Sequence, residues 1–181
     1  LSGTNTYTGT TLVGAGTLLL SGNNTLNGPI NVSGGLLSLT GNNTLGGSIV
    51  VGGGTMSLSG TNTVSGPLTV NNLGILQLGH ASALGTTNVG TLVNSGGRVE
   101  ISTSVSGQTV TVTGNGGTDS YGALRTTPGV SAEWAGNVIV AAAGSRIGGG
   151  VNGTLTVSGV ISGGGTAGVL FGRADNSVTI L

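Results

Sequence analysis

The sequence predicts an all-β fold, a right-handed parallel β-helix. This is a three-sided β-solenoid of about nine rungs with roughly 19–23 residues each. Three observations predict it. First, residues 1–77 write one unit four times: LSGTNTYTGTTLVGAGTLL, LSGNNTLNGPINVSGGLLS, LTGNNTLGGSIVVGGGTMS and LSGTNTVSGPLTVNNLGILQ. The leading leucines Leu1, Leu20, Leu39, Leu58 and Leu78 are spaced by 19, 19, 19 and 20 residues, and a period near 20 that holds this well marks a solenoid. Second, apolar residues alternate with polar ones inside each unit, the period of a strand with one face in and one out. Third, Gly, Asn, Thr, Ser and Val dominate, and no apolar stripe recurs at helical spacing.

Each unit divides into three short strands. The first is marked by the column Tyr7, Leu26, Leu45 and Val64. The second carries two inward columns: Thr11, Ile30, Ile49 and Leu68, then Val13, Val32, Val51 and Val70. The third carries Leu18, Leu37, Met56 and Leu76, then Leu20, Leu39, Leu58 and Leu78, with mostly polar Leu19, Ser38, Ser57 and Gln77 between them. A hairpin stack would not superpose these columns. Coiling each unit into one rung places equivalent residues about 4.8 Å apart, as in any parallel sheet. The general chirality of crossover connections favours the right-handed coil in part, and the family resemblance given below supplies the rest.

The turns repeat as faithfully as the strands. Gly3, Gly22, Gly41 and Gly60 form one glycine column, and Gly9, Gly28, Gly47 and Gly66 another. Stacked glycines mark bends that a Cβ would obstruct. Pro29 and Pro67 follow column glycines, at corners where a missing N–H is tolerated. Asn5, Asn24, Asn43 and Asn62 stack as well, and such a ladder satisfies side-chain amides along the axis.

Composition restricts function more than it identifies it. The 181 residues include 40 glycines but only four Arg and four Asp or Glu, with no lysine and no cysteine. The net charge is zero and the mean hydropathy is positive, at +0.37. Such a chain has apolar surface to bury and little charge to keep it apart, so it is expected to hide its surface in regular pairing rather than remain disordered. Without a basic balance, nucleic acid and anionic membranes are not expected partners. No apolar run is long enough for a membrane-spanning helix. The repeat is in mid-stride at Leu1, which reads as a segment of a longer protein.

The chain reads as one solenoid segment over residues 1–181, regular over 1–77 and looser over 78–181. In the looser part TVTVT at 109–113 is an alternating strand. Glu133-Trp134-Ala135-Gly136 matches Thr6-Tyr7-Thr8-Gly9, so Trp134 is expected in the core, in the column of Tyr7. TLTVSG at 154–159 matches Thr17–Gly22 and is expected at the third strand position.

The units NTYTGTTLVGAGTLLLSG and GNNTLGGSIVVGGGTMSLSG resemble the autotransporter-associated β-strand repeat, also called the passenger-associated transport repeat. ALG at 83–85, GALRTTPG at 122–129, EWAGNVIVAAAGSRIG at 133–148 and GTLTVSGVISGGG at 153–165 are similar to passages of large autotransporter passenger domains. The resemblance implies a right-handed β-helical passenger, carried outward by a C-terminal β-barrel to the bacterial surface or beyond.

No catalytic constellation is legible, and neither a cofactor nor a metal is expected. The acidic residues are Glu100, Asp119, Glu133 and Asp175. Only Glu100 and Asp119, 19 residues apart, fall near one rung of each other, and their spacing reads as a surface coincidence. His80 near Ser82 reads as a turn histidine. Gly116-Gly117-Thr118-Asp119 approaches a calcium-binding repeat but does not recur. The glycine runs at 52–54, 148–150 and 163–165 lack the GK[ST] of a phosphate loop and read as turns. Arg98, Arg125, Arg146 and Arg173 read as solvated turn residues, with Glu100 and Asp175 as their available partners. The sequons at Asn23, Asn31, Asn42 and Asn152 follow from an Asn- and Thr-rich composition.

The leading reading is therefore a non-enzymatic structural stalk or adhesin-like scaffold at a bacterial surface. Its partners would be neighbouring rungs of the parent chain or end-to-end copies, with a host-surface or glycan ligand left unspecified. The alternatives are a non-catalytic part of a polysaccharide-acting enzyme and an ice-binding solenoid. Thr-x-Thr at 4–6 and 61–63 suggests the latter, but Asn-Asn-Thr in the second and third units breaks the array.

Overall fold

The computed structural model describes residues 1–86, 89–163, 168–173 and 177–181. It is a parallel β-solenoid without helix among these residues, coiled through eight complete turns and the start of a ninth. Turn 1 carries β1 (Thr6–Tyr7), β2 (Thr11–Val13) and β3 (Thr17–Leu20). Turn 2 carries β4 (Thr25–Leu26), β5 (Ile30–Val32) and β6 (Leu36–Leu39). Turn 3 carries β7 (Asn43–Leu45), β8 (Ile49–Val51) and β9 (Thr55–Leu58), and turn 4 carries β10 (Asn62–Val64), β11 (Leu68–Val70) and β12 (Ile75–Leu78). Turn 5 lacks the first strand and has β13 (Thr91–Val93) and β14 (Arg98–Ile101). Turn 6 has β15 (Val110–Val112) and β16 (Leu124–Thr126). Turn 7 has β17 (Ser131–Trp134), β18 (Val138–Val140) and β19 (Arg146–Gly148). Turn 8 has β20 (Thr154–Val157), β21 (Ile161–Gly163) and β22 (Leu170–Phe171), and β23 (Ser177–Ile180) opens the ninth.

The three sides follow from these turns. The second strands form one eight-stranded sheet, β2-β5-β8-β11-β13-β15-β18-β21. The third strands form another, β3-β6-β9-β12-β14-β16-β19-β22. The first side is split into β1-β4-β7-β10 and β17-β20-β23. Between these lies the turn of residues 80–84, and the ladder resumes at a bridge between Val105 and Trp134. Every recorded pairing is parallel and joins a residue to its counterpart one turn on, as in Val13↔Val32 and Val32↔Val51.

The core is the stack of inward columns. Leu20, Leu39, Leu58 and Leu78 are buried, as are Leu37, Met56 and Leu76. Ile30, Ile49 and Leu68 are buried with Val13, Val32, Val51 and Val70, and so are Leu26, Leu45 and Val64. Trp134 is fully enclosed. Two residues expected in the core are less enclosed than their columns, although Leu18 still packs against it. Tyr7 is 37% exposed, and its phenol sits 2.9 Å from Thr11 Oγ1. Leu18 is only partly buried. Both belong to turn 1, where β1 and β3 each have a strand partner on one side alone.

The irregular half departs from expectation in two ways. One turn is longer than the expected 19–23 residues: Val70↔Val93 spans 23, but Val112↔Val140 spans 28. The match of TLTVSG to Thr17–Gly22 also misplaces a strand. β20 pairs with β17 and β23 on the first side, not with the third-side sheet. A Thr-Leu-x-Val pattern suits either side, because both need an inward apolar pair two residues apart. Val138 and Val140, which follow the Trp134 motif at the spacing at which Thr11 and Val13 follow Tyr7, do share the sheet of Thr11 and Val13.

Close approach between turns explains the glycine columns. A Cβ on Gly47 would collide with the carbonyl of Gly28 in the turn before it, whereas a Cβ on Gly9 meets nothing within 4 Å. Gly47→Ala is therefore expected to lower stability by about 2 kcal/mol, an overpacking cost. Gly9→Ala, in the same column, should stay within about 0.5 kcal/mol. Paired thermal melts of the two variants check this; equal losses would contradict the packing argument.

Candidate functional site

The first polar system is the asparagine ladder. Nδ2 of Asn5 donates to Asn24 Oδ1 (2.7 Å), that of Asn24 to Asn43 Oδ1 (2.8 Å), and that of Asn43 to Asn62 Oδ1 (2.8 Å). The backbone N–H groups of Asn5, Asn24 and Asn43 donate to the same oxygens at 3.2 Å. The second amide hydrogen of each side chain goes to the column glycine two residues back: Gly3, Gly22, Gly41 and Gly60. Asn24, Asn43 and Asn62 are buried, and the ladder ends where Asn62 donates to Ala83 O (2.9 Å). The chain turns at residues 80–84 at that point, and no fifth asparagine follows. The ladder uses both donors and the acceptor of each buried amide, so it is structural rather than a binding surface.

The second system is ionic and lies on the outward side of the third-side sheet. Arg98, Glu100 and Arg125 are at outward positions of β14 and β16, and Glu100 pairs with Arg125 across the ladder. Glu100 Oε1 accepts from Arg98 Nε at 2.7 Å and from Arg125 Nη2 and Nε at 2.6 and 3.1 Å. Arg125 Nη1 donates to Asp119 Oδ1 at 2.8 Å. Gln77, in the turn before, donates to Glu100 Oε2 at 3.3 Å. Burial pushes the Glu100 carboxyl up, but the hydrogen bonds and charges of Arg125 and Arg98 together hold it below its ordinary value. Asp119 behaves likewise: burial raises it, but Arg125, the Tyr121 N–H and the charge of Arg98 together hold it below its ordinary value.

The ion pairs revise the sequence-based reading of these residues. Glu100 and Asp119 are gathered by one guanidinium rather than being unrelated. Both are held ionised, so neither is a proton donor near neutral pH, and no acid–base pair results. Arg125 is 6% exposed, not a solvated turn residue. Arg98 and Arg146 lie in strands, with Arg146 Nη1 donating to Gly172 O. Glu133 is on the first side, where its carboxylate accepts from Ser158 Oγ. Asp175 lies outside the described residues. His80 is in a turn, its Nδ1 accepting from the Ser82 N–H at 3.1 Å. Among the described residues no three His, Cys, Asp or Glu come together as metal ligands.

The tight clustering of Arg98, Glu100 and Arg125 had one sequence signal. Arg-Val-Glu places two outward residues of opposite charge two apart on a strand. Asp119 had none, because it reaches Arg125 from the excursion of residues 113–123, outside the strand alternation.

Residues 1–19, 13–39 and 49–78 match the family model of the passenger-associated-transport-repeat. These lie in the regular turns 1 to 4; the passages of the second half that resemble passenger domains fall outside the matched residues. No curated protein and no solved structure matches the chain.

Asn43→Ala removes the acceptor of two Asn24 donors inside the rod and should cost about 2 kcal/mol, read from a denaturant midpoint shift. Glu100→Ala should cost roughly 3 kcal/mol by leaving Arg125 half-compensated in a buried site. The lowered carboxyls of Glu100 and Asp119 contribute stability that is complete above their ordinary values and is lost as pH falls through the lowered ones. Acid titration of the melting temperature should therefore be flatter in Glu100→Gln than in the parent chain.

Proposed function

We propose that this chain is a structural segment of an exported passenger, a rigid spacer displayed at a bacterial surface or released from it. The observation that carries the reading is the coincidence of two facts. Turns 1 to 4 match the passenger-associated-transport-repeat, and their residues stack in unbroken register with the side chains spent on one another. Inward positions fill the core, and the asparagines satisfy their own counterparts. What remains outside carries no charge, being Thr, Asn, Ser and Gly with a few exposed apolar side chains such as Leu12 and Leu73, on a stiff frame suited to reach rather than to chemistry.

An adhesive role belongs to the same reading. A rod held together turn by turn can carry a contact surface away from the cell, and the looser turns 5 to 8 depart most from the repeat. The test is made on the full-length parent protein in its own cells. External protease added to intact cells should remove the epitopes of this segment, and excising turns 2 and 3 should leave export and folding intact. Protection of the segment until the cells are lysed would sink the proposal.

A further inference from the structure

The excursion between β15 and β16 is built as a separate piece. Its base is fixed by backbone bonds: Thr113 N–H to Val93 O (2.8 Å), Arg146 N–H to Gly114 O (2.9 Å) and Ala123 N–H to Arg146 O (2.8 Å). Its tip is braced internally, with Asn115 Nδ2 donating to Ser120 Oγ at 2.7 Å and the Ser120 N–H to Gly117 O at 3.3 Å. The tip meets the body through two arginines. Arg125 Nη1 reaches Asp119 Oδ1, and Arg173 Nη1 reaches Asp119 O, each at 2.8 Å. The Tyr121 ring lies 4.9 Å from the Arg173 guanidinium and 5.8 Å from that of Arg125.

The backbone of this piece is equally distinctive. Gly114, Gly116, Gly117, Ser120 and Gly122 all have positive φ, at 82°, 84°, 107°, 56° and 146°. Tyr121 is its one large side chain, so apolar burial contributes little to holding it down. What it covers is polar. Glu100 and Arg125 are each 6% exposed, and Asp119 of the excursion bonds to Arg125.

We propose that residues 113–123 form a hinged strap, latched by Asp119 on Arg125 and by Arg173 on Asp119 and Tyr121. Neutralising Asp119 or screening its ion pair opens the strap without unfolding the turns beneath. The groups that face Asp119 are Arg125 from β16, Arg98 from β14, Arg173 after β22, Tyr121 within the strap, and Glu100, which shares Arg125 with it. The Asp119 side chain is 39% exposed, so its pair is accessible to salt. The buried pair of Glu100 with Arg125 is shielded by comparison and keeps β14 and β16 joined. Local opening of this kind draws on the least stable part of a fold and leaves the core ladders in place. Opening brings Arg125 and Glu100 to the surface together. The proposal does not depend on export.

Hydrogen exchange read by mass spectrometry on the whole chain tests this. Asp119→Asn at neutral pH should speed exchange of the amides of residues 115–122 roughly fivefold, with β14 and β16 unchanged. The parent chain in high salt should show the same selective acceleration. Unchanged strap exchange in both arms would overturn the proposal. So would acceleration of the strap together with β14 and β16, which would make it an inseparable part of its turn.

Discussion

In a solenoid the nearest neighbour of each residue along the axis is its own counterpart one turn away. Where the turns are copies of one another, every side chain must therefore be compatible with itself at the spacing of adjacent strands, about 4.8 Å. Like charges at that distance repel, and between Leu1 and Leu78 there is no Asp, Glu, Lys, Arg or His. Apolar residues satisfy the condition by packing, and glycine satisfies it where backbones come too close for a Cβ. Asparagine satisfies it by chemistry. Its amide is both donor and acceptor, so a column of identical side chains bonds to itself. The unusual composition of the regular half is thus a consequence of copying rather than of any one site.

Relaxing the repetition removes the constraint. From turn 5 onward successive turns differ, and charge enters as complements rather than copies. The outward column of the third side reads Gln77, Glu100, Arg125 and Gly148 from turn to turn. A glutamate there can be buried because the residue above it is an arginine and the one below an amide. A longer connection supplies a further partner, as Asp119 reaches Arg125. The ionic system and the excursion over it therefore occur together, in the part of the rod where neighbouring turns are allowed to be unlike.

The regular turns were legible nearly residue by residue, because a column repeated four times reports its orientation four times. Leu39 and Val51 could be placed inside from alternation alone. The exceptions, Tyr7 and Leu18, sit in turn 1, where stacking is one-sided, a condition that no single column reveals. The second half was legible as strands but not as positions. TLTVSG carries the right alternation for two different sides, and only its pairing with Ser131–Trp134 decides between them. The ionic site was least legible. Arg98 and Glu100 announce a pair, but Asp119 reaches Arg125 through a turn whose path depends on glycine conformations rather than on periodicity.

The ladder of amides has a direction. Each asparagine donates to the one following it in the chain, and the pattern of bonds at Asn24 is the same as at Asn43. A segment can thus be cut from the regular half and closed again without any residue noticing, provided that the excised length is one full period. Removal of one residue more or fewer would misalign the glycine corners, the amides and the core at once. The molecule is therefore quantised in length. Only whole periods can be added or removed while all three kinds of column stay in step.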